Sequence, residues 1–324
     1  MEKIFFAALA VLGFFVPTAL GGSGAVYAAC VLIAVFAVMS YGLDIIVSDL
    51  GEVSLAHTVF FAVGAYTTAL LSASAGMGPI ISLAGSILMV LLVAAALGFV
   101  TLQLREFVFS LVTYAVAVVA ATIAQNWDFL GGSDGLRGIP AFSIPLLGFS
   151  ARNDQELWPV AYILLVVTIY LVSSFRRSKL GKAAMMVHLN QRLAVTSGVD
   201  PQRTRLYVFL LSAPITASAG WLYAYQRAYI SADVLETYFL ILMLTAVVVV
   251  GRRLLLGPLV GVTLILMQEK FFSFGGYVDK IILGSVLILT LSFLPSGLAG
   301  IFAPLRTVLV RRNAPLGKPV SERS

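Results

Sequence analysis

Asp44, Asp49, Glu52 and His57 lie close together in the sequence, with Ser54 among them and the apolar run Thr58–Tyr66 directly after. Such a group admits three chemistries. Asp49, Ser54 and His57 supply the residue types of a hydrolytic triad. Carboxylates set into a membrane span could relay protons. The same residues could also be the polar end of a broken membrane helix. The triad is the weakest of these, because its members are near neighbours in sequence and no G-x-S-x-G nucleophile elbow is present. His57 and His188 are the only histidines, one at a span end and one in a basic loop. Each reads as a polar residue at an interface. No HExxH or Cys/His cluster suggests a metal, and no GxxxxGK[ST] loop suggests ATP binding by this chain. The expectation is a chain that is not an enzyme, with neither metal nor cofactor of its own.

The elements that must hold these residues are membrane spans. Hydrophobic types make up 60% of the 324 residues and charged types 11%, against about 25% charged in soluble domains. The single Cys30 excludes an intrachain disulfide framework. The net charge of +6 does not point to nucleic acid, because the basic residues cluster between apolar runs and in the tail. Lys3 followed by Ile4–Leu20 has the outline of a cleaved signal, but the apolar pattern resumes through Val38, which favours a retained first span.

A helix needs about 20 apolar residues to cross the hydrocarbon core. Ten segments qualify in outline: Ile4–Leu20, Ala25–Val47, Leu55–Ser74, Pro79–Leu104, Phe107–Gln125, Leu157–Phe175, Leu206–Gln226, Thr237–Gly251, Leu254–Gln268 and Ile281–Phe302. Thr237–Gly251 and Leu254–Gln268 are short enough to form half-helices or a hairpin, so eight to ten transmembrane helices are expected in an all-α, polytopic membrane protein. One permease-like domain occupies residues 1–310, with a tail at 311–324 expected to be disordered. Between Arg176 and Arg205, seven basic residues face Asp200 alone. The positive-inside rule puts this loop, the basic tail and both termini in the cytoplasm. Asn126–Glu156 then lies outside. Asp44, Asp49 and Glu52 fall near a cytoplasmic turn, where water is expected to reach them. Asp44 itself is open to three readings: a surface carboxylate, a cap on the next segment's amides, or a proton-coupling group.

Within residues 176–205, Leu180, Ala183, Ala184 and Val187 recur at helical spacing and form one apolar stripe. Gly198 is placed to end that helix. Asp200-Pro201 reads as N-cap and first residue of the next. The result is an amphipathic surface helix that either lies on anionic lipid or docks a soluble partner.

These pieces together resemble the branched-chain amino acid ABC transporter permeases, the LivM/LivH family. The resemblance rests on Tyr41-Gly42-Leu43-Asp44, Gly51-Glu52-Val53-Ser54-Leu55-Ala56-His57 and Phe60-Phe61-Ala62-Val63-Gly64-Ala65-Tyr66. It continues in Leu104-Arg105-Glu106-Phe107, Leu111-Val112-Thr113, Arg177–Ala183 with Ser197–Asp200, and Phe293–Gly300. The block Gly131-Gly132-Ser133-Asp134-Gly135-Leu136-Arg137-Gly138-Ile139-Pro140 points to the LivM side. Three departures stand out: Asp44 where the family has Asn, His188–Gln191 where it is more charged, and Arg252-Arg253 where it is Gly-rich.

The resemblance implies a permease of an ABC importer in the inner (cytoplasmic) membrane. It would pair with a second homologous permease, two cytoplasmic ATPase subunits that bind the ATP, and a periplasmic solute-binding protein, and would be surrounded by membrane lipid. Leu180, Gly181, Ala184 and Val187 would couple to the ATPase. Gly131, Gly132, Ser133, Asp134 and Gly135 would either meet the binding protein, gate the path, or serve as a rigid connection. Ser54, Thr58, Tyr66 and Thr67 are candidates for the solute pathway. Small residues, namely Gly64, Ala65, Thr67, Thr68 and the Gly257–Gly261 pair, would pack the moving helices. Urea, short amides or other amino acids are alternative solutes. An ATP-independent channel or proton-coupled carrier is the alternative of another class.

Overall fold

The computed structural model describes residues 11–101, 104, 106–145, 148–271 and 277–293. The first half of the expected first span, the closing block beyond Phe293 and the tail lie outside the described residues. A short helix α1 (Val16–Ala19) precedes α2 (Gly24–Asp44), whose first turn is capped by the Ser23 hydroxyl accepting from the Val26 amide. A π-helical turn over Ile45–Leu50 carries α2 onward until Gly51 ends it in the left-handed region at φ 75°. The combined 27 residues rise about 40 Å, enough to cross a core of about 30 Å.

α3 (His57–Ala69), extended by a second π-helical turn at Leu70–Ser74, is followed by α4 (Pro79–Thr101) and α5 (Glu106–Asn126). After the loop come α6 (Asp154–Arg177), α7 (Lys179–Leu189), α8 (Gln191–Thr196) and α9 (Pro201–Arg227). α10 (Thr237–Val250), α11 (Gly257–Phe271) and α12 (Tyr277–Phe293) complete the described chain. The all-α, polytopic membrane architecture expected from composition is present. Among the described residues, however, five helices are long and apolar enough to cross a membrane, namely α2 with its π-helical turn, α4, α5, α6 and α9, against the eight to ten crossings expected. The apolar stretches of α10, α11 and α12 are shorter.

Burial sorts the helices into a centre and a skin. The apolar windows of α2 and α9 are 89% and 72% buried, whereas those of α4, α5 and α6 are 22%, 22% and 33% buried. The outer helices therefore turn wide apolar faces outward, as lipid-facing helices do. At the centre, small residues let backbones touch. Gly64 of α3 lies on the Ala217 carbonyl of α9, and Gly220 of α9 lies on the Phe61 carbonyl of α3. Gly261 of α11 lies on the Ala246 carbonyl of α10 in the same way.

Several boundaries differ from expectation. The span expected from Leu55 begins as helix only at His57, and residues 51–56 are irregular. The amphipathic segment is two helices: Asn190 leaves helical geometry and its side chain caps α8 by accepting from the Leu193 amide. Asp200 caps α9 by accepting from the Gln202 and Arg203 amides, with Pro201 first in the helix, as expected. Gly198 follows α8 at φ 80°. At the end of the bundle away from α7, the glycine block folds into two 3-10 turns, Asp128–Leu130 and Gly132–Asp134. Short strands follow. β1 (Leu136–Arg137) pairs with β4 (Tyr229–Ile230), and β2 (Phe142–Ile144) pairs with β3 (Phe149–Ala151).

Candidate functional site

The charged residues near the end of α2 are buried, not washed by water. Asp44, Asp49 and Glu52 are 1%, 0% and 5% exposed, which corrects the expectation of a hydrated turn. α6, α9 and the α10–α11 turn close over them and supply counter-charges. Arg176, in the last turn of α6, sends Nη2 to Asp44 at 2.7 Å and Nε to Asp49 at 3.0 Å. Arg253, in the α10–α11 turn, reaches the other oxygen of Asp49 with Nε at 3.3 Å. Ser48 donates to Asp44 at 2.5 Å. Two carboxylates thus meet two guanidiniums, and the group is neutral as a whole. Asp44 is neither a surface carboxylate nor a cap, and its Arg176 partner lies 132 residues away in sequence.

The irregular segment beside it is satisfied by protein groups, as buried non-helical backbone must be. The Glu52 amide donates to the Ile46 carbonyl at 3.4 Å. The Val53 carbonyl accepts from Ser110 Oγ at 2.7 Å, and the Leu55 amide donates to Thr113 Oγ1 at 3.1 Å. Arg205, at the start of α9, pairs with Glu52 at 2.5 Å and lies over the Phe109 ring. His57 is fully buried, with Nε2 3.2 Å from Ser212 Oγ and its ring against Phe60 and Phe209. The interface reading of His57 is therefore corrected. Ser54, His57 and Asp49 do not form a triad, since His57 faces Ser212 and Asp49 faces arginines. Among the described residues no group of three or more His, Cys, Asp or Glu is placed to hold a metal.

α7 and α8 cover this region from the end of the bundle. Gly181, Ala184 and Val187 are buried and Leu180 is half-buried. α7 packs along α9 and the π-helical turn of α2. Gly181 lies on the Phe175 carbonyl at the α6–α7 corner, and the His188 ring sits on Gly51. The apolar stripe seen in the sequence therefore faces this chain's own core. The apolar side chains left open are others: Met186, Leu189, Leu193 and Val195, exposed by 40%, 71%, 65% and 56%. The stripe rule found an amphipathic helix but not its direction, because α8 adds a second apolar set after the Asn190 break.

The other candidates scatter. Thr58 lines a cavity of about 540 Å³ between α3, α5, α10 and α12. Its walls mix Tyr114, Thr122, Gln125, Glu236 and Tyr238 with Ala117, Leu240, Ile241 and Leu283. Its volume is in the range of small-molecule sites, and polar and apolar walls face one space. The hydroxyls of Ser54 and Tyr66 are buried without a hydrogen-bond partner and do not line it, and Thr67 faces α4 beside Gly85. Gly131, Gly132, Ser133, Asp134 and Gly135 sit at the opposite end from α7, where Gly135 backs on the Ile230 carbonyl and Tyr229. Sequence reasoning missed the α5 and α10 cavity residues, since isolated polar residues in apolar helices do not show what they face.

Residues 26–291 match the family described as the branched-chain amino acid transport system permease component. The chain is 26% identical over 330 residues to the high-affinity branched-chain amino acid transport system permease protein LivM of Escherichia coli K12, covering 94% of this chain and 76% of the relative. The protein of the same name from Salmonella typhimurium LT2 is 27% identical over 336 residues, with the same coverage of both chains. A probable LivH permease of Methanocaldococcus jannaschii is 30% identical over 148 residues, 43% of this chain and 46% of the relative. No solved structure matches the chain.

Proposed function

The chain belongs to the branched-chain amino acid transport permease family, and we propose that it is a membrane permease subunit of an ABC importer that carries branched-chain amino acids inward. The observation that carries the importer reading is the exposed apolar face of Met186, Leu189, Leu193 and Val195 on α7 and α8. It lies within the strongly basic segment that the positive-inside rule assigns to the cytoplasm. An apolar patch outside the membrane core marks a docking surface, and the occupant fitting this family is a cytoplasmic ATPase subunit. Both termini are then cytoplasmic in the inner membrane. The glycine-rich turns of residues 131–135 lie outside, in reach of a periplasmic binding protein, and a second homologous permease completes the membrane part.

The mixed walls of the cavity suit a zwitterion with an apolar tail, and this space is the solute route in the proposal. Thr58 belongs to it, and Tyr114, Thr122 and Gln125 replace Ser54, Tyr66 and Thr67 as its polar lining. The proton-coupled reading is weaker, because Asp44 and Asp49 are both tied to arginines within one buried cluster and neither lines the cavity.

Two variants test this. Leu189→Asp with Leu193→Asp places charges on exposed positions and leaves the core alone. The fold should persist while ATPase subunits no longer co-purify. Undiminished co-purification would remove the docking assignment. Ala121→Trp fills part of the cavity. ATPase subunits should still co-purify, but uptake of labelled leucine should be largely lost, because the indole would occupy space that the solute must cross. Normal uptake by that variant would place the route elsewhere. Identifying the solute on the partner binding protein tests the substrate.

A further inference from the structure

We propose that α10 is a lever that carries motion of the coupling segment to the cavity wall, with the Asp49–Arg253 pair as its hinge attachment. This rests on the importer reading above. One end of α10 meets the charged cluster and the other lines the cavity. At the cluster end the helix breaks at Gly251, and Arg253 is held by two hydrogen bonds and one ion pair. Its amide donates to Ser48 Oγ at 3.1 Å, its carbonyl accepts from Arg176 Nη1 at 3.2 Å, and its Nε meets Asp49. A fourth contact runs straight to the coupling helix, where Nη1 reaches Met185 Sδ at 2.8 Å. At the far end, Thr237, Tyr238, Leu240 and Ile241 form part of the cavity wall.

Three physical points favour a linkage over a merely stabilising contact. First, the 14 residues of α10 rise only about 21 Å, less than the core of about 30 Å. The turn that follows brings Arg253, with a side chain 39% exposed, onto the fully buried Asp49 of the π-helical turn of α2. Second, Arg253 holds φ 65°, a region that glycine occupies without strain and arginine does not. An arginine kept there serves its side chain, not the turn. Third, Asp49 is buried while Arg253 is only partly so, and the best-attested use of ionic contacts in a protein interior is to fix register between elements, not to add stability. Here the register fixed is that of α6, α7, the π-helical turn of α2 and the foot of α10. Arg176 sits next to the α6–α7 corner, so displacement of α7 pulls on Asp49 and Arg253 together.

The test uses the full complex with its ATPase subunits, in a Cys30→Ser background carrying Ile241→Cys. The introduced thiol on the cavity wall is labelled with a water-soluble maleimide, with and without a non-hydrolysable ATP analogue. The parent should show a nucleotide-dependent labelling rate. Arg253→Gly suits the turn and keeps its backbone bonds, removing only the side-chain tie. It should lose that dependence while ATPase subunits still co-purify. Asp49→Asn should lose it too, and Arg253→Lys should restore it. If Arg253→Gly and Asp49→Asn label as the parent does, the lever is overturned and the importer reading stands. If no ATPase subunit co-purifies with the parent, the importer reading falls and the lever with it.

Discussion

Gly64→Val and Gly220→Val are each expected to leave little folded protein. Both glycines sit where α3 and α9 touch through their backbones, and an added Cβ would overlap the Ala217 and Phe61 carbonyls respectively. A flexible side chain can swing aside, but two helix backbones can only move apart. Separation would open the packing of Phe60 on Phe209 and of Phe61 on Tyr223 that the two helices share. Extra methylenes in a packed core cost about 1–3 kcal/mol and occasionally more; valine adds three carbons, and they meet backbone that cannot swing aside, so the cost lies at or above the top of that range. Against a total stability of about 5–15 kcal/mol, the loss is large. The measurement is the monodisperse yield in detergent and the thermal midpoint. Gly284→Ala is the control, since nothing lies within 4 Å of its added Cβ. In a helix interior it should gain about 0.5–1 kcal/mol. If the two valine variants match the parent in yield and midpoint, the close approach of α3 and α9 is wrong.

The second large effect is expected from Arg176→Met. It leaves Asp44 without an ion pair and Asp49 with only the longer contact to Arg253. Removing one partner of a buried pair costs about 3–5 kcal/mol, because the other charge stays buried and unmet. Adding Asp44→Asn to the same chain should recover part of that loss, since one stranded charge is then gone. The contrast is Arg203→Ala, which breaks the exposed Arg203–Asp200 pair. That change should shift stability by less than about 1 kcal/mol. Denaturant or thermal unfolding of the three variants decides it. Equal stability of Arg176→Met and Arg203→Ala would mean the cluster is not buried as described.

Local rules read much of this molecule correctly. Low charge and long apolar runs announce membrane spans, because a chain in hydrocarbon has no other way to satisfy its backbone. Asp200-Pro201 and Gly198 mark the edges of α8 and α9, since a cap depends on residues within one turn. Gly51, Gly131, Gly132 and Gly135 mark turns, because a positive φ is a property of the single residue. The family was legible for the same reason: its blocks are short and local.

The site was legible only in its parts. Asp44 and Asp49 stand out in the sequence, but their partners Arg176 and Arg253 come from helices far along the chain. Nothing in the spacing says that they meet. Leu180, Ala184 and Val187 show helical periodicity, yet periodicity cannot say whether an apolar face meets this chain or another. Only the packing of α7 on α9 decided that, and it left Leu189 and Leu193 facing outward. By itself, then, the sequence determined the all-α membrane class, the caps at Asp200 and Gly198 and which residues carry charge, because these follow from composition and from interactions within one turn. Which charges pair, which face is free and which helices enclose a cavity were decided by tertiary structure, because each depends on surfaces that come together only when distant helices pack.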